Sequence, residues 1–403
     1  MVAPVKKNRK ASSRAISRRR ASASAPRPIG IGLLGSGFIA RCHVYAYHAM
    51  PVAFPECGGQ PVLELVCDVS EERAEAAARR FGFRRWTTDP SALIKDEAVD
   101  VVDICFPSQQ HMRLATAAIK AGKHVYCEKP VGLDWHEARA LAGLAAKARV
   151  KSLVGYNYIR IPLVGFAKRL IEAGAIGRPL SFRGCHNEDY LADPAHPFTW
   201  RCERRIAGRA GALGDLGGHI VSIARHLMGE VVAVTGEAKT VIAARPVAPG
   251  SKRTRPVEND DEARFLVRFA GGAGGMIETS RIAWGRKMDI SFEITGTEGA
   301  IRFAGERMNQ IELYQKGDSG DRQGFKTVLA GPDHPPYGNF IPAPGHGLGF
   351  NDLKVIEVAE LMGLVAERRA AGPDFAEAAE ISRVIAAVLR SSRERRWVRI
   401  DAV

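Results

Sequence analysis

Apolar residues recur along this chain in short blocks with two different rhythms. From Ile29 onward, brief apolar runs alternate with segments of helical periodicity. Ile29–Leu34, Val62–Cys67, Val101–Cys105, His124–Cys127 and Lys151–Val154 read as strands. Phe38–Met50, Glu71–Phe81, Met112–Ala121 and Trp135–Ala148 read as the helices between them, the third closed by Gly122. Strands apolar on both faces, alternating with helices, predict a parallel sheet covered on both sides. The rhythm changes near residue 155. A helix is expected over Leu163–Ala173. Strands are expected over Leu180–Gly184, Val231–Lys239, Arg264–Phe269, Gly275–Ser280, Ile290–Thr295 and Ala300–Phe303, with a helix from Asp215 to Met228 among them. Glycine turns such as Gly271-Gly272 and Gly296-Thr297 separate neighbouring strands, as hairpins require. Gly317–Gly349, rich in proline and glycine, reads as loop. Helices near Asp352–Arg369 and Phe375–Ser391, then a strand at Trp397–Ile400, end the chain.

Composition narrows the class. An apolar content of 46% is ordinary for a globular protein, and no apolar run is long enough for a membrane helix. The net charge of +14 suggests nucleic acid until its distribution is read: residues 1–28 hold nine basic residues and no acid, which leaves +5 for the rest. This Ser/Ala/Arg tail has nothing with which to build a core and is expected to be disordered. An export signal at Arg18-Arg19-Arg20 would need an apolar stretch behind it, and Ala21–Pro28 is not one. No aromatic residue is interleaved with the charges, so no nucleic-acid partner is expected. Seven cysteines form no CxxC pair, so neither a disulfide framework nor a metal site is expected, and the cytoplasm is the expected compartment.

The chemistry begins at Gly35-Ser36-Gly37-Phe38-Ile39-Ala40, a GxGxx(G/A) pattern between a strand and a helix. In that setting the pattern is a dinucleotide fingerprint. Gly35 makes the tight turn, Gly37 admits the pyrophosphate to the helix start, and Ala40 allows close packing. Asp68 ends the second strand, where an acid accepts from the ribose 2′-OH and repels a 2′-phosphate. NAD is therefore favoured, with NADP left open by Arg73 nearby; capping the helix after Ser70 is the alternative role for Asp68. The cofactor-binding set is Gly35, Gly37, Phe38, Ile39, Asp68, Arg73, Pro107, Ser108, His111, Glu128 and Lys129. The fold class is thus α/β: a Rossmann dinucleotide-binding domain over residues 29–155, and an α+β domain over residues 156–403 with an open, mostly antiparallel sheet. The C-terminal helices are expected to pack back on the first domain.

Two further motifs carry a resemblance. Glu128-Lys129-Pro130 follows a parallel strand, on the side where ligands bind, and Gly214-Asp215-Leu216-Gly217-Gly218-His219 opens the later helix. With the glycine loop, these make the chain similar to the Gfo/Idh/MocA oxidoreductases, and in particular to their inositol and levoglucosan dehydrogenase branch. The resemblance implies that Lys129, Asp215 and His219 are catalytic. Asp215 and His219 are four apart, so one helix would put them on a common face. The carboxylate would orient His219 as general base, and Lys129 would hold the substrate oxygen. Ser222 departs from the acid that the family often carries three residues after the histidine. Polar groups around a concave site suit a polyhydroxyl ligand, with an aromatic such as Trp200 covering a sugar face. Asn157, Arg160, Trp200, Arg201 and His346 are the candidate substrate residues. The expected function is oxidation of a secondary hydroxyl of a sugar, anhydrosugar or cyclic polyol, by a homo-oligomer. A non-catalytic sugar- or dinucleotide-sensing regulator and an NAD-dependent glycosidase are the alternatives that the family offers.

Overall fold

The computed structural model describes residues 25–317 and 319–403. The expected disorder of the basic tail falls mostly on residues 1–24, outside the described residues. The first half runs β1 (Arg27–Leu34), α1 (Phe38–Ala53), β2 (Gly59–Cys67), α2 (Glu71–Phe81), β3 (Arg85–Thr87), α3 (Pro90–Lys95), β4 (Val101–Ile104), α4 (His111–Lys120), β5 (His124–Cys127), α5 (Trp135–Ala148) and β6 (Ser152–Val154). The strands pair in parallel in the order β3-β2-β1-β4-β5-β6. The order reverses between β1 and β4, which opens a crevice at their carboxyl ends. Local chemistry sets the boundaries. Ser70 caps α2 by accepting from the Arg73 N–H, Glu71 and Glu72 lie in its first turn, and Gly82 closes it with φ 82°. Asp134 caps α5 in the same way.

The second half runs α6 (Pro162–Glu172), β7 (Pro179–Asn187), α7 (Arg204–Ala207), α8 (Ala212–Asp215), α9 (Gly217–Met228), β8 (Val231–Lys239), β9 (Ala244–Pro246), β10 (Thr254–Pro256), β11 (Glu262–Phe269), β12 (Gly274–Ser280), β13 (Asp289–Gly296), β14 (Gly299–Ala304), β15 (Gln310–Gln315), β16 (Lys326–Leu329), α10 (Phe350–Ala366), α11 (Phe375–Glu394) and β17 (Val398–Arg399). Nine strands form one sheet, ordered β16-β15-β14-β13-β7-β12-β11-β8-β17, and β9 and β10 make a separate ribbon. Only the β12–β7 pair is parallel. β11 alternates buried and exposed positions along its length, the mark of a sheet with one covered face. Phe182, Phe292 and Phe303 stack on the covered side.

Two expectations about elements are corrected. The Pro/Gly-rich segment after Gly317 contains β16, which adds an edge strand to β15. The helix expected over Asp215–Met228 is broken: α8 ends at Asp215, and α9 begins at Gly217. α10 does pack back on the first sheet. Val355, Val358, Leu361, Met362 and Val365 join one core with Ile29, Ile31 and Leu33 of β1. Among the described residues, no helix is long and apolar enough to cross a membrane. All seven cysteines are free.

Candidate active site

A cleft of about 880 Å³ lies at the carboxyl ends of β1, β2, β4 and β5, closed on its other side by residues of β7, α8, α9 and α10. The glycine loop forms one end. Gly35 sits at φ 103°, a region that L side chains rarely adopt, and its N–H bonds the Cys67 carbonyl at 2.8 Å. Gly37 precedes α1, no side chain caps that helix, and a Cβ at Gly37 would meet no protein atom within 4 Å. The first-turn N–H groups of α1 are thus left for an anion. Asp68 is 2% exposed. It accepts from Ser36 N at 2.9 Å, Ser36 Oγ at 2.5 Å and Val69 N at 2.7 Å, with Arg73 Nε at 3.0 Å. The cap of α2 falls to Ser70, so Asp68 does not serve as one. Phe38, Ile39, Pro107 and Ser108 line the same end. A phosphate cradle with an acid beyond it fits NAD.

His111 and Glu128 line the cleft but are engaged inside the protein. The ring nitrogens of His111 lie 2.7 Å from the carbonyls of Pro130 and Phe106. A neutral imidazole donates to only one of these, and burial holds the His111 pKa below its ordinary value. The ring ties together the two loops beside the cleft, with both nitrogens engaged inside the protein. Glu128 Oε1 takes His43 Nε2 at 3.0 Å and Lys354 Nζ at 2.6 Å.

The catalytic candidates meet at the other end. Lys129 follows β5, and its Nζ donates to Asp215 Oδ1 at 2.7 Å and to the Asp215 carbonyl at 2.8 Å. Asp215 Oδ2 accepts from the Tyr190 hydroxyl at 2.9 Å and from Arg201 Nε at 3.1 Å. Arg201 in turn lies over the Trp200 ring, 4.4 Å from its centroid. Burial raises the Asp215 carboxyl pKa, but Lys129 and Arg201 outweigh it and hold the group well below the usual carboxylate range. No hydrogen bond joins Asp215 to His219, although both line the cleft. The expectation that Asp215 orients His219 is therefore corrected: its partners are Lys129, Tyr190 and Arg201. His219 is buried, its Nδ1 has no hydrogen-bond partner, and the Tyr158 ring packs edge-on at 4.7 Å. Burial, with Lys129 and His186 adding to it, pushes the His219 pKa well below the ordinary value. The ring stays neutral and able to accept a proton.

Of the substrate candidates, Asn157, Trp200 and Arg201 line the cleft. Asn157 is buried and its Nδ2 has no partner, as for a group that waits for a ligand. Arg160 and His346 lie elsewhere. Arg160 bonds Glu357 at 2.9 Å, Glu360 at 2.8 Å and the Gly372 carbonyl at 2.7 Å. It borders a second cavity of about 980 Å³ on another side of α10, and Ser222 lines that cavity too. The Ser222 departure therefore does not touch the cleft. His346 is exposed, and its carbonyl accepts from the Tyr337 hydroxyl. Sequence reasoning missed Tyr158, His186, Tyr190, Phe350 and Lys354, all of which line the cleft. Lys354 had one visible signal: it stands between Leu353 and the apolar pair Val355-Ile356 near the start of α10. His43, Asp103 and Cys105 lie close enough to share an ion, but His43 Nδ1 already bonds Asp103 at 3.0 Å.

A glycine loop at the switch point of a parallel sheet, facing a lysine–aspartate pair and a neutral histidine, defines a two-domain dinucleotide-dependent oxidoreductase. Residues 29–156 match the oxidoreductase family with an NAD-binding Rossmann fold, and residues 165–302 match the GFO/IDH/MocA C-terminal domain. The chain belongs to the GFO/IDH/MocA family. It is 39% identical to levoglucosan dehydrogenase of Pseudarthrobacter phenanthrenivorans over 93% of this chain and 99% of that protein. It is 31% identical to scyllo-inositol 2-dehydrogenase (NAD(+)) of Bacillus subtilis over 65% of this chain and 72% of that one. The solved structure of levoglucosan dehydrogenase with NADH and levoglucosan superposes with a TM-score of 0.89 at 40% identity, covering 93% of this chain and 100% of the other.

Proposed function

We propose that this chain is an NAD-dependent dehydrogenase that oxidises a secondary hydroxyl of a sugar, anhydrosugar or cyclic polyol. One observation carries the reading: a buried neutral histidine without a partner shares a cleft with a lysine already aligned by a carboxylate. Bound NAD would supply the hydride acceptor. Asp215, fixed by Tyr190 and Arg201, holds Lys129 where its ammonium donates to the substrate oxygen. His219 takes the hydroxyl proton as the C–H electron pair leaves as hydride and the carbonyl forms. Lys129 stabilises the negative charge that grows on that oxygen. Asn157 and the Trp200 face supply a donor and an apolar wall for a polyhydroxyl ring. The names of the relatives, which act on levoglucosan, apiose and inositols, support this substrate class.

The test is a panel of polyols, sugars and anhydrosugars, run with NAD and with NADP. The purified protein is expected to form NADH with at least one member. Lys129→Ala and His219→Ala are expected to abolish turnover while NADH binding survives. A glycoside cleaved with no net NADH would favour the glycosidase reading, and binding without turnover on every member would favour a sensor. We also propose self-association through the helix-free face of the large sheet, where Leu266 and Met276 stand exposed; light scattering of the purified protein tests this. The cytoplasm is the proposed compartment, where seven free thiols persist.

A further inference from the structure

Behind the catalytic turn lies a buried row of charges that the reaction as described does not use. Asp103 takes His43 Nδ1 at 3.0 Å and the Tyr47 hydroxyl at 2.9 Å. His43 Nε2 and Lys354 Nζ both reach Glu128 Oε1, at 3.0 Å and 2.6 Å. Lys354 continues to Glu357 at 2.8 Å, and Glu357 to Arg160 at 2.9 Å. Every charged side chain in this row is 10% exposed or less. Stability alone does not account for it, since well-packed apolar residues of similar volume often serve as well. Its geometry suggests another purpose. Glu128 Oε2 accepts the backbone N–H of Lys129 at 3.2 Å, so whatever holds this carboxylate also holds the peptide that carries the catalytic lysine. Lys354 arrives on α10, from the second half of the chain, as does Asp215 at the other end of the Lys129 side chain.

We infer that Lys354 is a positioning residue: acting through Glu128, it sets the place of Lys129 in the cleft. The inference rests on the dehydrogenase reading. Burial disfavours the Lys354 ammonium, but Glu128 and Glu357 overcome this and hold its pKa above the ordinary value. Burial likewise opposes charge on Glu128, and Lys354 and His43 keep its pKa well below the usual range. The groups that face Glu128 are Cys42 and His43 from α1, Asp103 and Cys105 at the end of β4, His111 from α4, Tyr126, Cys127 and Lys129 along β5 and its following turn, Tyr156 and Tyr158 after β6, His219 from α9, and Lys354 and Glu357 from α10.

The test is Lys354→Met, assayed by thermal melting, NADH binding, steady-state kinetics and a crystal structure without ligand. The kcat is expected to fall about 10- to 100-fold, with KM and NADH affinity within about threefold of wild type. Without its cation Glu128 titrates at higher pH, so a new loss of kcat is expected on the acid side. In the crystal, Lys129 Nζ is expected to leave Asp215. Glu128→Gln should lower kcat to a similar degree, and the double variant should be no worse than either single one, as for groups that act as a unit. A folded K354M with wild-type kcat and pH profile, a loss confined to KM, or Lys129 still seated on Asp215 would each overturn the inference. If K354M does not fold, E128Q decides by the same readouts, and unchanged kcat there overturns it. An inactive wild type counts against the dehydrogenase reading, while the crystallographic position of Lys129 still decides this inference.

Discussion

Asp215→Asn keeps the shape of a side chain that faces two cations and removes its charge. Lys129 lies 2.7 Å away, with the two side chains 15% and 27% exposed. Breaking a fully buried pair costs about 3–5 kcal/mol, and partial exposure brings this one down to about 2–3 kcal/mol. Arg201 is 40% exposed, and its pair with Asp215 contributes at most about 1 kcal/mol. An amide accepts on one side only and offers an N–H to the other cation, so Lys129 keeps mainly the backbone carbonyl of residue 215. If about 3 kcal/mol is lost from the placement of Lys129 in the transition state, kcat falls roughly 100-fold, since 1.36 kcal/mol is a factor of ten. Initial rates of NADH formation with the best substrate of the panel measure this, and NADH fluorescence checks that the cofactor end is intact. The acid limb of the pH profile should stay in place or move to lower pH, because the Asp215 charge weakly favours protonated His219. A kcat within about threefold of wild type, or an acid limb moved upward, would refute the argument that Asp215 works through Lys129.

Three further outcomes follow from the geometry. Because burial depresses the His219 pKa, its neutral form persists as pH falls through the ordinary histidine range near 6.5; kcat/KM should hold there and decline only at lower pH, and a midpoint at or above about 6.5 would contradict this. Arg160→Ala takes one cation from buried Glu357, which keeps Lys354 at 2.8 Å, so thermal unfolding should show a loss of about 1–3 kcal/mol with substrate KM unchanged; a raised KM at unaltered stability would return Arg160 to the substrate set. Gly37→Val places its branches in open cleft, so the cofactor dissociation constant should rise at least about tenfold while the melting temperature barely moves; unaltered NADH binding would place the pyrophosphate elsewhere.

What could be read in the sequence was what is local. The parallel strands come from continuous apolar runs, and the structure reproduces β5, α2 and α5 residue for residue. The strands β15 and β16 escaped, because Gln310–Gln315 is flanked by polar residues and Lys326–Leu329 sits among prolines and glycines. The motifs at Gly35–Ala40, Glu128–Pro130 and Gly214–His219 are contiguous and were legible. Their supporting groups are not contiguous. Arg160 finds Glu357 197 residues further on, and Lys354 finds Glu128 across 226. Four-residue spacing brought Asp215 and His219 to one cleft but did not join them, because each meets partners from other segments.

The docking of α10 on β1 bears on how the protein is made. The face of β1 carrying Ile29, Ile31 and Leu33 is shared with Val355, Val358 and Leu361, which are synthesised long after it. Synthesis runs from the N-terminus, so the cofactor sheet emerges early with part of its apolar cover still unmade. The nascent sheet waits for that cover until α10 has been made. A truncation ahead of α10 would strip this cover from the NAD-binding core, and a transplanted cofactor half would keep its covering only if the distant helix travelled with it.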